Sequence, residues 1–366
     1  MKGLKRFFLD YDPYLLFSLF VLCLMGLMGV YSATYKEGIL FYKQLIYMLI
    51  SWFLMLFLSR VNFRALYDLA PVIYFFNLFL LVLVPILGKS VYGAKRWLDL
   101  GPLSLQPSEF FKFSLVIFSV YVLSHTKRLL SKELLILFLA FAIPSILTLK
   151  QPDLGTTVIY LFILTLSLFL HGLKLRYFIL SGLFFLLLSP LLWHLLKDYQ
   201  RARILAVIDP YEDYHGSGYQ LIQSMIAVGS GGFLGKGLLG GTQSHLLFLP
   251  EKHTDFIFSV ISEELGFFGS FILVSAFFFI FYRTVIYALL IPPSVERLYV
   301  GIFAGTWLFQ GFVNLLMTMG WAPVVGIPLP FVSYGGSSLL TFSLLLGLLF
   351  SIIREQRNRP IRFEDG

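Results

Sequence analysis

The sequence predicts an all-α, polytopic membrane protein of about ten transmembrane helices with both termini cytoplasmic, and three observations lead there. Hydrophobic residues make up 58% of the 366-residue chain and charged residues only 13%, against about 25% charged in an ordinary soluble domain. The apolar residues fall in blocks long enough to cross about 30 Å of hydrocarbon at about 1.5 Å per residue. Lys and Arg crowd into alternate connecting segments, the bias that orients membrane proteins. A soluble globular enzyme is excluded. The excess of 28 Lys plus Arg over 20 Asp plus Glu is assigned to topology and anionic membrane lipids, not to nucleic acid.

The first apolar block, 14–34, follows Lys2, Lys5 and Arg6. It is too long for a signal-peptide core and has no small-residue cleavage site, so it is expected to remain as the first span. Further blocks run at 40–58, 70–87, 107–123, 133–149, 156–170, 178–195, 256–281, 298–320 and 337–353. Pro107 suits the first turn of a helix and opens the fourth. An even number of spans puts the termini on one side. With the N-terminus inside, segments 1–13, 59–69, 124–132, 171–177, 282–297 and 354–366 hold 16 Lys and Arg; the short outer loops 35–39, 88–106, 150–155 and 321–336 hold 5. The expectation is one ten-span domain over 1–366 with a large extracytoplasmic loop at 196–255 and no room for a separate soluble domain. Cys23 is the only cysteine, so there is no intrachain disulfide and no zinc-type spacing.

Chemistry is sought where ionisable groups meet apolar blocks, because such groups are costly there and must face protein or water; Lys43, Lys112, Glu263 and Glu264 qualify. Glu109 and Lys112, three residues apart on one helix face, either neutralise each other or present a cation to an anionic head group. Arg96 beside Trp97 has the composition of an interfacial anchor. Asp153, in the turn Lys150 to Thr156, either caps the next helix or adds an acid to an outer cavity. In the long segment, Gln200 to Pro210 and then Tyr219, Gln220, Gln223 and Ser224 precede the run Gly229 to Gly237. That run is not a phosphate loop, since Ser230 stands where a glycine belongs and Gly237 where Ser or Thr belongs; flexible re-entry into the membrane is expected of it. Asp255 is expected at the outer start of the eighth span, where the helix dipole favours its ionised form, with Glu263 about two turns deeper; that Thr254 or Asp255 merely caps the helix is the alternative. His253 reads as a loop residue. Three prolines and three glycines in 321–338 dictate a shaped turn, in which Ser333, Ser337 and Ser338 are placed to satisfy backbone groups.

The stretches Q-P-S-E-F, Q-P-D-L-G-T, L-P-E-K-H-T-D-F-I-F followed by E-E-L-G, and L-P-F-V-S-Y-G-G-S-S together resemble the signatures of the shape, elongation, division and sporulation (SEDS) family of bacterial membrane glycosyltransferases. The resemblance spans 14–353. G-T-Q-S at 241–244, G-S-G-G at 229–232 and Lys252 before His253 are similar to the elongation branch of the family, not the division branch; Tyr214 after Glu212 and Asp213 departs from the expected turn residue. The resemblance implies a peptidoglycan polymerase in the cytoplasmic membrane that joins lipid II units at the outer leaflet, working with a class B penicillin-binding protein and other elongation-complex proteins. It places the catalytic carboxylate on Asp255 and matches motif positions to Glu109 and Lys112. Arg96, Asp153, Gln223, Glu251 and Ser333 join these two as candidate substrate-binding residues. In this reading Asp255 takes a proton from the acceptor sugar while Lys112, Arg96 and, as an open possibility, a divalent cation such as Mg or Mn stabilise the departing pyrophosphate. The alternative is a flippase for the same lipid-linked precursor; transporters bind near the bilayer midplane, whereas these charges cluster outside. A non-catalytic scaffold is the third reading.

Overall fold

Asp12 opens the first helix. Its carboxylate accepts from the backbone N–H groups of Tyr14 (2.9 Å) and Leu15 (3.3 Å), and Pro13 fills the first helical position, where no N–H is required. The computed structural model describes residues 11–35, 38–91, 94–99, 101, 104–126, 132–211, 216–245 and 249–358. Several residues read above lie outside these, among them Lys2, Lys5, Arg6, Glu212, Asp213 and Tyr214. In order the elements are α1 (Pro13–Ala33), α2 (Gly38–Leu58), α3 (Phe63–Asp68) and α4 (Ala70–Leu87); strands β1 (Lys89–Val91), β2 (Ala94–Asp99) and β3 (Ser104–Leu105); α5 (Pro107–His125), α6 (Lys132–Lys150), α7 (Leu154–Leu170), α8 (Leu175–Leu195), α9 (Asp198–Ile208), α10 (Ser217–Ser230), α11 (Thr242–His245), α12 (Ile257–Leu290), α13 (Val295–Thr318) and α14 (Gly336–Arg357).

Each apolar block of the sequence lies on one helix. Eight helices are long and apolar enough to cross a membrane, and Leu154–Leu170 and Leu175–Leu191 are shorter apolar helices. The chain is a polytopic helical membrane protein. Helices α5 and α14 are its centre, buried along most of their length. Around α5 pack α4, α6, α7 and α13; α2 lies on α14, and α12 on α1 and α13. Among its described side chains, α8 turns most of its apolar surface outward, which hydrocarbon permits and water would not.

Polar contacts gather at the two ends. At one, Asp12 also accepts from Arg283 Nε (3.0 Å) and the Tyr287 hydroxyl (2.8 Å), and Arg357 donates to the Tyr11 carbonyl (3.2 Å). Burial pushes the Asp12 carboxyl up, and the bonds from Arg283 and Tyr287 more than offset this, holding it below the ordinary carboxylate range. At the other end the three strands form a small antiparallel sheet, with Lys89 paired to Trp97 and Leu98 to Leu105.

The described part of 196–255 is largely helical where a loop is expected, and α10 packs against α12 and α13. At 34 residues, α12 measures about 50 Å by helical rise, more than the hydrocarbon thickness, and it breaks at Gly266 (φ 62°, ψ −160°). The glycine run fills the break. Lys236 and Gly237 N–H donate to the carbonyls of Glu263 (3.1 Å) and Glu264 (3.0 Å), while Phe267 and Phe268 N–H donate to the carbonyls of Gly232 (2.8 Å) and Phe233 (3.1 Å). Backbone groups that a broken span would strand in hydrocarbon are thereby paired. A Cβ at Gly266 would lie 2.3 Å from the Gly235 nitrogen, so only glycine fits. Glu263, fully buried, accepts from Lys236 Nζ (2.7 Å), Thr242 N (2.7 Å), Thr242 Oγ1 (3.0 Å) and Gln243 N (2.9 Å). The flexibility expected of this run is corrected: it is a pinned strap.

Candidate active site

The turn before α12 is built on Glu251, whose backbone is left-handed (φ 49°). Its carbonyl accepts from Thr254 N (3.2 Å) and Phe256 N (3.4 Å), and its carboxylate from Thr254 Oγ1 (3.1 Å). Thr254 therefore serves Glu251. The N-cap of α12 is Phe256, with no side-chain cap, so the capping alternative for Thr254 and Asp255 does not hold. The expected electrostatics of Asp255 are also overturned. Burial, and next the neighbouring Glu251 carboxylate, push its pKa up to about 7; Asp153 adds to the rise, and Arg203 and Arg96 oppose it. No described residue hydrogen-bonds the Asp255 carboxylate. Gly326 (φ 74°) lies against it, and a Cβ there would stand 3.4 Å from Oδ2.

Strand β2 carries Arg96 to the same end. Its Nε donates to the Gln151 carbonyl (2.8 Å) and its Nη2 to that of Pro152 (2.6 Å), so the guanidinium clasps the turn that presents Asp153. Asp153 is the N-cap of α7, accepting from Thr156 N (3.1 Å) and Thr156 Oγ1 (2.9 Å), and it also accepts from Gln106 Nε2 (3.2 Å). Both alternatives for this residue hold together: it caps, and its charge reaches Asp255. Arg203, on α9, completes the group. Burial draws its pKa below the usual guanidinium value, while Asp255 and then Tyr199 act against that fall. Arg203 was not among the expected site residues; the signal was R-A-R leading directly into the apolar run Ile204 to Ile208.

Beneath this cluster, Lys112 is fully buried with its Nζ 2.7 Å from Glu109 Oε2. It donates to Gln310 Oε1 (2.8 Å) and lies 5.5 Å from the Phe342 ring centre. Gln310 Nε2 donates to the Pro328 carbonyl (3.0 Å), and one turn on, Asn314 Nδ2 donates to the carbonyls of Asp255 (2.9 Å) and Ile327 (2.7 Å). These two amides were also missed, although two polar side chains four apart on an apolar span are a readable sign. In the 321–336 turn, Ser333 Oγ accepts from Leu329 N (2.8 Å) and its carbonyl from Gln44 Nε2 (3.1 Å). Ser337 Oγ accepts from Gln106 N (2.9 Å). The His253 carbonyl accepts from Tyr334 N (2.8 Å).

The structure thus brings Asp255, Glu251, Asp153, Arg96 and Arg203 within mutual electrostatic reach and sets Glu109 and Lys112 below them in the protein interior. Gln223 stands apart, partly buried on α10, and Ser333 is engaged in its own turn. Lys43 is exposed on α2, whereas Glu264 is bonded by Ser32 on α1. Among the described residues no three Asp, Glu, His or Cys side chains are grouped to hold a metal ion. A negative group entering beside Asp255 would meet the guanidinium groups of Arg96 and Arg203 together with the carboxyl groups of Glu251 and Asp153.

Comparison with known proteins accords with this geometry. Residues 13–358 match the FtsW/RodA/SpoVE model, described as cell cycle protein. The chain is 36% identical over 344 residues to the peptidoglycan glycosyltransferase MrdB of Escherichia coli strain K12, covering 93% of each chain. It is 39% identical over 358 residues to a probable peptidoglycan glycosyltransferase FtsW of Wigglesworthia glossinidia brevipalpis, covering 93% of this chain and 92% of that one. A chain of a peptidoglycan synthase complex that coordinates polymerization and crosslinking superposes with a TM-score of 0.82 at 35% identity, covering 96% of this chain and 99% of that one. The rod shape determining protein RodA of Thermus thermophilus superposes with a TM-score of 0.71 at 29% identity, covering 96% and 98%. With the family model spanning nearly the whole chain and these relatives matching it end to end, the protein belongs to the FtsW/RodA/SpoVE family, the SEDS proteins that its motifs resemble.

Proposed function

We propose that the protein is a peptidoglycan glycosyltransferase that polymerises lipid II at the outer leaflet of the bacterial cytoplasmic membrane for cell elongation. The observation that carries the reading is Asp255, a carboxylate with a pKa near 7, bonded by no described residue and facing Arg96 and Arg203. The acceptor's GlcNAc 4-hydroxyl attacks the anomeric carbon of the donor glycan. The new glycosidic bond forms as the bond to undecaprenyl pyrophosphate breaks, and Asp255 takes the hydroxyl proton. A base with a pKa near the working pH combines a sufficient ionised fraction with real proton affinity. The leaving pyrophosphate needs cations more than a general acid, so one carboxylate suffices, unlike the acid pair of glycoside hydrolysis. The two arginines supply that charge at the surface of the site. Lys112 supports it from below.

Polymerisation with and without EDTA tests whether a divalent cation such as Mg or Mn is required. Both termini are placed in the cytoplasm by the Lys and Arg bias of the short connections. A class B penicillin-binding protein is the expected partner, since crosslinking needs a transpeptidase and this fold carries none among its described residues. The charged groups gather at one end of the bundle, which favours surface chemistry over passage of a head group across the membrane. The deciding experiment is polymerisation of labelled lipid II by purified protein and by Asp255→Asn: the parent forms glycan and the variant nearly none. Equal polymer from both would remove the proposal.

A further inference from the structure

We infer that Asn314, with Gln310 one turn before it, is a positioning residue that holds the Asp255 carboxylate in register with the Lys112 cation. The inference rests on the reading of Asp255 as the base. Both amides are fully buried on α13. Asn314 Nδ2 bridges two carbonyls, that of Asp255 (2.9 Å) and that of Ile327 (2.7 Å). The first belongs to the base itself, and the second follows Gly326, whose backbone lies against Asp255 Oδ2. Only a group with two N–H donors on one nitrogen can tie both segments at once. Gln310 does the parallel task for the cation, accepting from Lys112 Nζ (2.8 Å) and donating to the Pro328 carbonyl (3.0 Å). A continuous bonded path therefore runs from Lys112 through Gln310, Pro328, Ile327 and Asn314 to Asp255.

Two facts argue that this path serves more than the fold. Asn314 Oδ1 is buried with no partner among the described residues, a cost that a residue selected for stability alone would not carry. Asp255 has no side-chain anchor of its own, so its carbonyl is where the described structure holds it. Released from Asn314, the carboxylate would be free to leave its buried position for water, and with the largest cause of its raised pKa relieved its affinity for a proton would fall.

The test compares Asn314→Leu, which removes both donors, and Asn314→Ser, which keeps one and is the safer folder, with the parent and Asp255→Asn. Each purified protein is assayed on lipid II across pH. The expected result for Asn314→Leu is a kcat lower by about tenfold to 10²-fold, the scale of misplacing a reacting group. Its KM stays within about threefold, since uniform binding is untouched, and the acidic limb of its rate profile moves down from near pH 7. Asn314→Ser falls between. Parental kcat and an unmoved limb in both variants would overturn the inference, as would a loss of rate with the limb unmoved, which marks a purely structural residue. If Asp255→Asn is itself fully active, the reading of the base has failed and the inference falls with it.

Discussion

Replacing Asp255 by Asn should make the protein more stable and nearly inactive, and the pH dependence of the first effect can be worked out. Burial and Glu251 raise the folded-state pKa from 3.8 to about 7, which corresponds to about 4 kcal/mol at about 1.4 kcal/mol per pH unit. A raised acid holds its proton more tightly in the folded state. Its contribution is therefore intact below about pH 4, is lost as pH climbs toward 7, and stays lost above that. Asn has no proton to lose, so the stability gap between variant and parent should widen with pH, by about 2–3 kcal/mol between pH 5 and pH 8. For a chain of this size that is a difference of about 3 °C in melting temperature, readable by scanning fluorimetry in detergent. Over the same range parental kcat/KM should rise through pH 7 and level off. The variant should lose about 10²- to 10⁴-fold in polymerisation, the usual contribution of a positioned base. A melting gap that does not change with pH would refute the account of the carboxylate. Polymerisation by a folded Asn variant within about threefold of the parent would refute its role and turn attention to Glu251 or Asp153.

Lys112→Met should lower lipid II polymerisation by about 10²-fold, the scale of losing one charge-stabilising group; if the lysine only neutralises Glu109, adding Glu109→Gln restores activity, because removing both partners of a buried pair costs less than removing one. Lys236→Met strips the cation from fully buried Glu263 and should destabilise the fold by about 3 kcal/mol, seen as a lowered melting temperature; an unchanged one would mean the strap is held by its backbone bonds alone. For topology, a cysteine at Tyr211, which is 72% exposed, should be labelled from outside intact cells and one at Asn358 should not. The reverse pattern would move the whole cluster to the cytoplasmic face.

The apolar helices could be read before any coordinates because a membrane imposes its rule locally: about 20 apolar residues suffice for a span, wherever the rest of the chain goes. The start of α5 at Pro107 and the Glu109–Lys112 pair follow from the same short-range logic, since three residues along a helix always meet. The strap was harder. Gly229 to Gly237 announces an unusual backbone but not its partner, and the glycine that receives it, Gly266, lies in the middle of an apolar span with no polar neighbour on its C-terminal side. Charged residues near the ends of spans pointed to the residues that gather around Asp255; Arg203 escaped because its helix sits in a segment expected to be loop.

Side-chain type and helical spacing thus determined the span pattern, the family signatures and the short list around Asp255. The ionisation of Asp255 did not follow from them. Its proton affinity is governed by burial and by Glu251, Asp153, Arg96 and Arg203. Three of those four come from chain segments more than 50 residues away, and Asn314, which holds its carbonyl, is 59 residues along the chain. Electrostatic energy depends on distance through a low-dielectric interior, and only packing brings such remote charges close enough to set it.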